Sequence, residues 1–383
     1  MVGAPARILA ALAVLAAAGL VRWTATRDLP VEAEELVFIG AGFRYAERMT
    51  PGRWRQIPDV VEGANQPPLV KLLYGAALRR AGATEPDWTG VPVGRPVPPE
   101  AERAFEATRR LSAAGGVLQV ALAALAAPLG GLWLVFDTAH TRYGSQAGLE
   151  GLAGLFALLA ALLFERSLHR REPEGLLPEV VAPEAGPLLA SAAALGLATA
   201  SQYAFGLVVG LSILPFLLVR TRSRPGLRLA FAVAALAVFA AADPALWHRP
   251  IDRLWNTVAL HLGEAKGTYA WRATLPWWQP LAWLSRSSVP DGYPWSFPVT
   301  FLDRLLLAAA ALSAPAAAAR RPVVATWALI GLVALAAWPI KWPQDTLLVR
   351  PALAICAGLG LSALLARLAH RPRRSGGGGL DLR

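Results

Sequence analysis

Cysteine is nearly absent from this chain. Its one thiol, Cys356, lies in an apolar run near the C-terminus, which excludes an intrachain disulfide and a cysteine-built metal site and leaves the redox compartment unmarked. Charge is also scarce: 16% of the 383 residues are Asp, Glu, Lys or Arg, whereas 55% are hydrophobic and gather in near-continuous runs. That balance excludes an ordinary water-soluble domain and describes a multi-spanning membrane protein. Histidine and cysteine form no cluster with the spacing of metal ligands. One sign of charge is in excess, +11 overall, but the arginines fall in short groups between apolar runs, where membrane topology accounts for them. Nucleic acid is therefore set aside as a partner.

What is present is a series of apolar runs. Spans are expected at 8–23, 111–128, 130–143, 149–165, 186–200, 203–220, 227–242, 304–319, 322–339 and 347–366, giving about ten transmembrane helices in an all-α polytopic protein. The region 111–136 could be one tilted helix, but "APLGG" at 127–131 supplies a break. With two helices there, Arg7, Arg166, Arg170, Arg171, the 220–228 arginines, Arg320, Arg321 and the C-terminal arginines all fall on one side. The positive-inside rule makes that side cytoplasmic, and makes 24–110 and 243–303 two long outer segments. The first span also has the features of a signal peptide; retention is favoured because the polar segment after it needs tethering to the membrane surface. Residues 1–366 are read as a single transmembrane domain, followed by a basic, glycine-rich cytoplasmic tail at 367–383.

The outer segments carry the candidate chemistry. "VEAEELVFIGAGFRYAERM" places Leu36, Ile39 and Phe43 on one face of an amphipathic helix that opens with Glu32, Glu34 and Glu35. Acidic residues favour any helix N-terminus, so alone they carry little. About thirty residues later "NQPPLVKLLYG" starts a second helix behind Pro67 and Pro68, with Lys71 and Tyr74 on one face. A lysine there also fits simple snorkelling to the headgroups. The second outer segment holds Trp247, Trp255, Trp271, Trp277, Trp278, Trp283 and Trp295, half of the chain's 14 tryptophans. These read as an aromatic belt around horizontal or re-entrant helices, a surface that also suits a lipid-borne substrate.

The order of these features resembles the GT-C glycosyltransferases that use polyprenyl-phosphate sugars, nearest to the protein O-mannosyltransferase and lipid A aminoarabinose transferase group. The resemblance covers about residues 5–366. The family's Asp-Glu pair corresponds to Glu34-Glu35, and its His-Pro-Pro-Leu-x-Lys-Leu to "QPPLVKLL", with Gln66 in the histidine's place. "VFDTAHTRYGSQAGLEGLAGLF" (135–156) matches a stretch ending in an acid at the start of a span, here Glu150. "KWPQDTLLVRPALAICAGL" (341–359) matches the last outer turn, with Gln344 and Asp345 where a tyrosine or histidine is usual.

The resemblance implies transfer of a sugar from a polyprenyl phosphate to an acceptor hydroxyl on the extracytoplasmic face of the cell membrane, with inversion if displacement is single-step. Such chemistry needs a base for the acceptor proton and cations for the departing phosphate. Glu34, at the family's Asp position, is the expected base. Glu35 diverges from it by about 100° around a helix and is expected to be structural or to orient a neighbour. Lys71 and Lys341 are the expected phosphate ligands and Arg350, within the outer end of the last span, the next. Gln66, Tyr74, Glu150, Gln344 and Asp345 are expected to line the site, with Glu34, Lys71 and Lys341 converging on one cavity. No cofactor is required, and a divalent metal stays compatible with the sequence. The partners implied are the lipid-linked donor, membrane lipid and a glycan, lipid or protein acceptor. Two alternatives stay open: a transporter or flippase, which the lack of an internal repeat and of mid-span charge disfavours, and an inactive relative, given the Glu-for-Asp and Gln-for-His replacements.

Overall fold

The computed structural model describes residues 4–60, 66–168, 183–264, 275–293 and 297–369; the tail from 370 onward, Arg170, Arg171, Trp271 and Trp295 lie outside them. Among the described residues the chain is helical and has no strand. The helices are α1 Ala4–Asp28, α2 Ala33–Arg48, α3 Leu69–Ala81, α4 Glu102–Ala126, α5 Pro128–Phe136, α6 Thr138–Ser145, α7 Glu150–Leu168 and α8 Ala185–Ser201. They continue with α9 Tyr203–Arg220, α10 Pro225–Ala242, α11 Pro250–Glu264, α12 Gln279–Leu284, α13 Leu302–Arg320, α14 Pro322–Ala337 and α15 Arg350–Ala369.

Five of these, α7, α9, α10, α13 and α15, are long and apolar enough to cross a membrane. Helices α8 and α14 are apolar but have 17 and 16 residues. At about 1.5 Å per residue they are some 25 Å long, a little short of a hydrocarbon core about 30 Å thick. The expected span 130–143 is not one helix. It is divided into α5 and α6 at Asp137, whose extended backbone (φ −64°, ψ 115°) ends the first, while its carboxylate accepts from His140 N at 2.7 Å and caps the second. Upstream, extended Ala127 and Pro128, which has no N–H to donate, separate α4 from α5.

The two half-length helices still return the chain along the bundle. Arg109 of α4 and the backbone N–H of Ala147 both donate to Glu35, so positions 109 and 147 lie at one end. From Arg109, α4 runs on to Ala126, roughly 25 Å at 1.5 Å per residue, and α5 with α6 bring the chain back. Helix α5 lies against α15 so closely that a Cβ on Gly358 would sit 2.2 Å from Gly130 N, which only glycine permits.

A second, smaller layer covers this end. Helix α2 starts with a capping box, in which Glu35 returns to accept from Glu32 N at 3.1 Å. It buries Phe38, Ile39 and Phe43 against Val70, Tyr74 and Leu78 of α3 and Ala104 and Phe105 of α4. Each such side chain contributes about 2 kcal/mol, enough to hold α2 on the bundle without crossing it. Close approach of α2 and α3 depends on Gly75, where a Cβ would lie 2.8 Å from the carbonyl of Gly42. Pro68 sets the start of α3, and Gly82 (φ 59°) ends it in the left-handed conformation. Helix α10 leans on α8 but buries only Phe231.

Candidate active site at the α2 end of the bundle

The anchor of this end is Glu35. Its carboxylate accepts from Arg109 Nε at 2.8 Å and Nη2 at 2.6 Å, from Ala147 N at 2.7 Å and from Glu32 N at 3.1 Å. Arg109 spends its other donors on the carbonyls of Thr26, Leu29 and Pro30, so all five N–H groups of a fully buried guanidinium are engaged. One ion pair thereby ties the end of α1, the start of α2, α4 and the α6–α7 turn together. Glu35 has no lone pair left for chemistry.

Glu34, one residue earlier and about 100° around the helix, points elsewhere. It is half-buried on the wall of a small pocket, partly open to solvent, lined by Glu32, Glu34, Glu35, Tyr143, Gln146, Ala147, Gly148, Glu150 and Gln344. Burial pushes the Glu34 carboxyl above its usual range; a hydrogen bond from Gln344 opposes the rise and the charge of Glu32 adds to it. Across the pocket Glu150 accepts from Gln202 Nε2 at 3.3 Å. Asp345 lies behind Gln344, close enough to act on Glu34; burial pushes its carboxyl up to about 7, and its Oδ2 accepts from Trp342 N at 2.8 Å to close the turn Pro343–Leu348. The pocket wall carries carboxylates and carboxamides and no lysine or arginine. Among the described residues no group of three His, Cys, Asp or Glu has the geometry of a metal site.

The expected cations stand off this wall. Lys71, 1% exposed, donates to the carbonyl of Gln66 at 2.8 Å and faces Asp243; burial pulls its ammonium down to about 8, against the attraction of that carboxylate. Burial also pushes Asp243 up to about 6. Lys341 donates to the carbonyl of Trp338 and lies beside Asp345. Arg350, at the head of α15, is fully buried and committed: it pairs with Asp137 at 2.6 Å, lies 3.7 Å from Asp303 and donates to the carbonyl of Trp283 at 2.9 Å. Tyr74 donates to the carbonyl of Gly148 at 2.6 Å and so receives the Ser112 hydroxyl, also at 2.6 Å, which makes it a strut between α3, α4 and the pocket floor.

Of the residues expected together, the wall thus takes Glu34, Glu35, Glu150 and Gln344, while Lys71, Gln66, Tyr74, Lys341, Asp345 and Arg350 do not line it. Arg109, Arg142, Tyr143, Gln146, Asp137, Asp243 and Asp303 are contributors that sequence reading passes over. Asp137 had a signal, a lone acid inside an apolar run. Arg142, which pairs with Glu32 and donates to the carbonyl of Ser288 at 3.1 Å, had none.

No protein-family model matches the chain, and no curated protein matches its sequence. Solved structures do. ArnT from Cupriavidus metallidurans, in a crystal structure bound to undecaprenyl phosphate, aligns over 92% of this chain and 60% of its own at 16% identity, with a TM-score of 0.58. Its apo form gives 0.60 at 18% identity. The Archaeoglobus fulgidus oligosaccharyltransferase AglB, in complex with an inhibitory peptide and a dolichol-phosphate, aligns over 94% of this chain and 50% of its own, at 14% identity and a TM-score of 0.56. The chain therefore spans about 60% of the length of ArnT and half that of AglB. At these identities the likeness speaks of architecture alone: the chain shares the fold of ArnT and AglB.

Proposed function

We propose that this protein is an integral-membrane glycosyltransferase that moves a sugar from a polyprenyl-phosphate donor to an acceptor hydroxyl on the extracytoplasmic face of the membrane. The observation that carries the reading is the contrast within α2: Glu35 is locked to Arg109, while Glu34 beside it is a half-buried carboxylate on a pocket wall without cations. A carboxyl raised by burial is a stronger base than one in water, which suits the removal of a hydroxyl proton.

In the proposed reaction Glu34 takes the acceptor proton, the acceptor oxygen forms a bond to the anomeric carbon, and the bond from that carbon to the phosphate oxygen breaks on the opposite face. The configuration inverts, and the polyprenyl phosphate leaves with the bonding pair. Lys71 is the cation proposed for that phosphate: it is buried at the same end, on the helix packed against α2, and the phosphate would compete for it with Asp243. ArnT and AglB, which share the fold, have been captured with undecaprenyl phosphate and with dolichol-phosphate.

The test is incubation of the purified full chain in lipid with a panel of polyprenyl-phosphate sugars. Release of polyprenyl phosphate, by transfer or slow hydrolysis, from at least one donor is expected, and silence across the panel with all acceptors overturns the reading. The proposed side is checked separately: a cysteine placed at exposed Gly90 should react with an impermeant thiol reagent in intact cells.

A further inference from the structure

Helix α11 is built inside out. At about 100° per residue, Ile251, Trp255, Val258 and Leu262 fall in one stripe roughly 60° wide, and these four side chains are between 50% and 80% exposed. On the opposite side Arg253 is half-buried and Thr257 buried, both toward the protein, with Leu260, 43% exposed, beside them. The Thr257 hydroxyl meets that of Tyr203. Tyr203 in turn donates to Asp243 Oδ2 at 3.3 Å, and Asp243 is the carboxylate that faces Lys71 and feels Arg253. A helix lying on a protein in water hides its apolar stripe and shows its polar side. This one leaves its apolar stripe outermost, the arrangement expected of a helix that lies against an apolar medium.

The place of α11 identifies that medium. It follows α10, one of the five helices fit to cross a membrane, after the single turn Pro244–Leu246, so it begins where a span ends. At the junction are exposed Trp247, whose Nε1 donates to the carbonyl of Ala240 at 2.8 Å, and exposed His248 and Arg249. Aromatic and basic residues at that level are those that settle among lipid headgroups. Fifteen residues make a helix about 22 Å long, long enough to lie along the boundary.

We propose that α11 is a lipid-docking helix, with the stripe Ile251, Trp255, Val258 and Leu262 seated in the headgroup–acyl boundary of the bilayer. Its Arg253 and Thr257 side is thereby held against the Tyr203–Asp243 pair. Given the function proposed above, the helix sets Lys71 at the edge of the bilayer, where a lipid-borne phosphate arrives; the docking itself does not depend on that reading.

The experiment uses the full chain in nanodiscs of phosphatidylcholine and phosphatidylglycerol. With buried Cys356 replaced by alanine, single cysteines at 251, 255, 258, 262, 252 and 256 are spin-labelled, and their relaxation is read with oxygen and with a water-soluble nickel chelate. Labels on the stripe should respond to oxygen and be shielded from nickel, and those at Asp252 and Asn256 should do the opposite. Nickel reaching the stripe means it faces water; shielding from both reagents means that protein or a second copy covers it; either outcome overturns the proposal. Without labels or the cysteine change, brominated lipids should quench the wild-type chain more than Trp255→Phe, and equal quenching is likewise fatal. None of these readouts involves sugar transfer, so α11 can prove docked in a protein that fails the donor panel, or undocked in one that passes it.

Discussion

Two groups of carboxylates lie within the same helical bundle and are treated in opposite ways. In the interior, Asp137 and Asp303 meet the Arg350 guanidinium, and Thr138 donates its backbone N–H and hydroxyl to Asp303 at 3.1 and 2.7 Å. Nearby, buried Arg22 donates to the carbonyl of Leu134 and to His140 Nδ1. At the mouth, Glu34 and Glu150 share a pocket whose wall holds no cation, with Asp345 close behind. A buried charge that meets its opposite and fills its hydrogen bonds is removed from chemistry and becomes a fastening. Carboxylates crowded together without one compete for protons, and that competition is what a proton-transfer site uses.

The sharpest way to break this comparison is Glu34→Gln. It preserves size and hydrogen bonding but removes the carboxylate proposed to accept the proton, so turnover should fall by roughly two to four orders of magnitude with donor-lipid binding retained. Near-normal turnover would leave the mouth without its base.

Asp137→Asn addresses the other group. It leaves a buried guanidinium short of a charge, and should cost about 3–5 kcal/mol of stability, read as a lowered unfolding midpoint in detergent. Asp137→Leu combined with Arg350→Met and Asp303→Asn should be less damaging than the sum of the single changes, since no orphan charge then remains. If the midpoint does not move, the interior pair is not a fastening.

Lys71→Ala is expected to raise the donor KM and lower kcat together, by roughly tenfold to a hundredfold in kcat/KM, as for loss of one charged hydrogen bond. A change in KM alone would confine the lysine to ground-state binding.

The smallest effect concerns pH. Asp345 titrates near 7 in the folded chain against 3.8 in a free side chain. Between those values the folded protein keeps a proton that the unfolded chain has released, so this stabilisation is present in acid and is lost as pH rises through the window. The melting temperature of the wild type should decline from pH 5 to pH 8 by a few degrees more than that of Asp345→Asn. The rate should follow Glu34 in the opposite sense, falling as pH drops through its raised pKa, because only the ionised carboxylate is a base.

The sequence was legible where a property is local. The apolar runs at 203–220 and 227–242 correspond to α9 and α10 within a few residues, since hydrophobic length alone defines such helices. The start of α2, with Glu34 and Glu35 diverging, was legible because helical geometry separates neighbours. Arg109 was not, because its partner stands 74 residues away and nothing in "ATRRLSAA" distinguishes one arginine from the next. For the same reason Arg350 read as a phosphate ligand: the carboxylate that occupies it is 213 residues distant, at a break inside an apolar run. The division at Asp137 was hidden by hydropathy, which averages over a single acid, whereas the backbone ends a helix there.

The fastening of Glu35 also says which wall of the pocket can move. To swing α2 would mean parting Arg109 from a carboxylate held by two guanidinium nitrogens while also releasing the α6–α7 turn at Ala147, so Glu34 and the 143–150 wall travel as one rigid block. The opposite side is Gln344, on a single six-residue turn closed by Asp345 and Trp342. Under the proposed transfer, widening the pocket for an acceptor would fall to Gln344 on that turn, which packs on α6 and α7 without so strong a fastening, and would be read first as a change in the environment of Trp342.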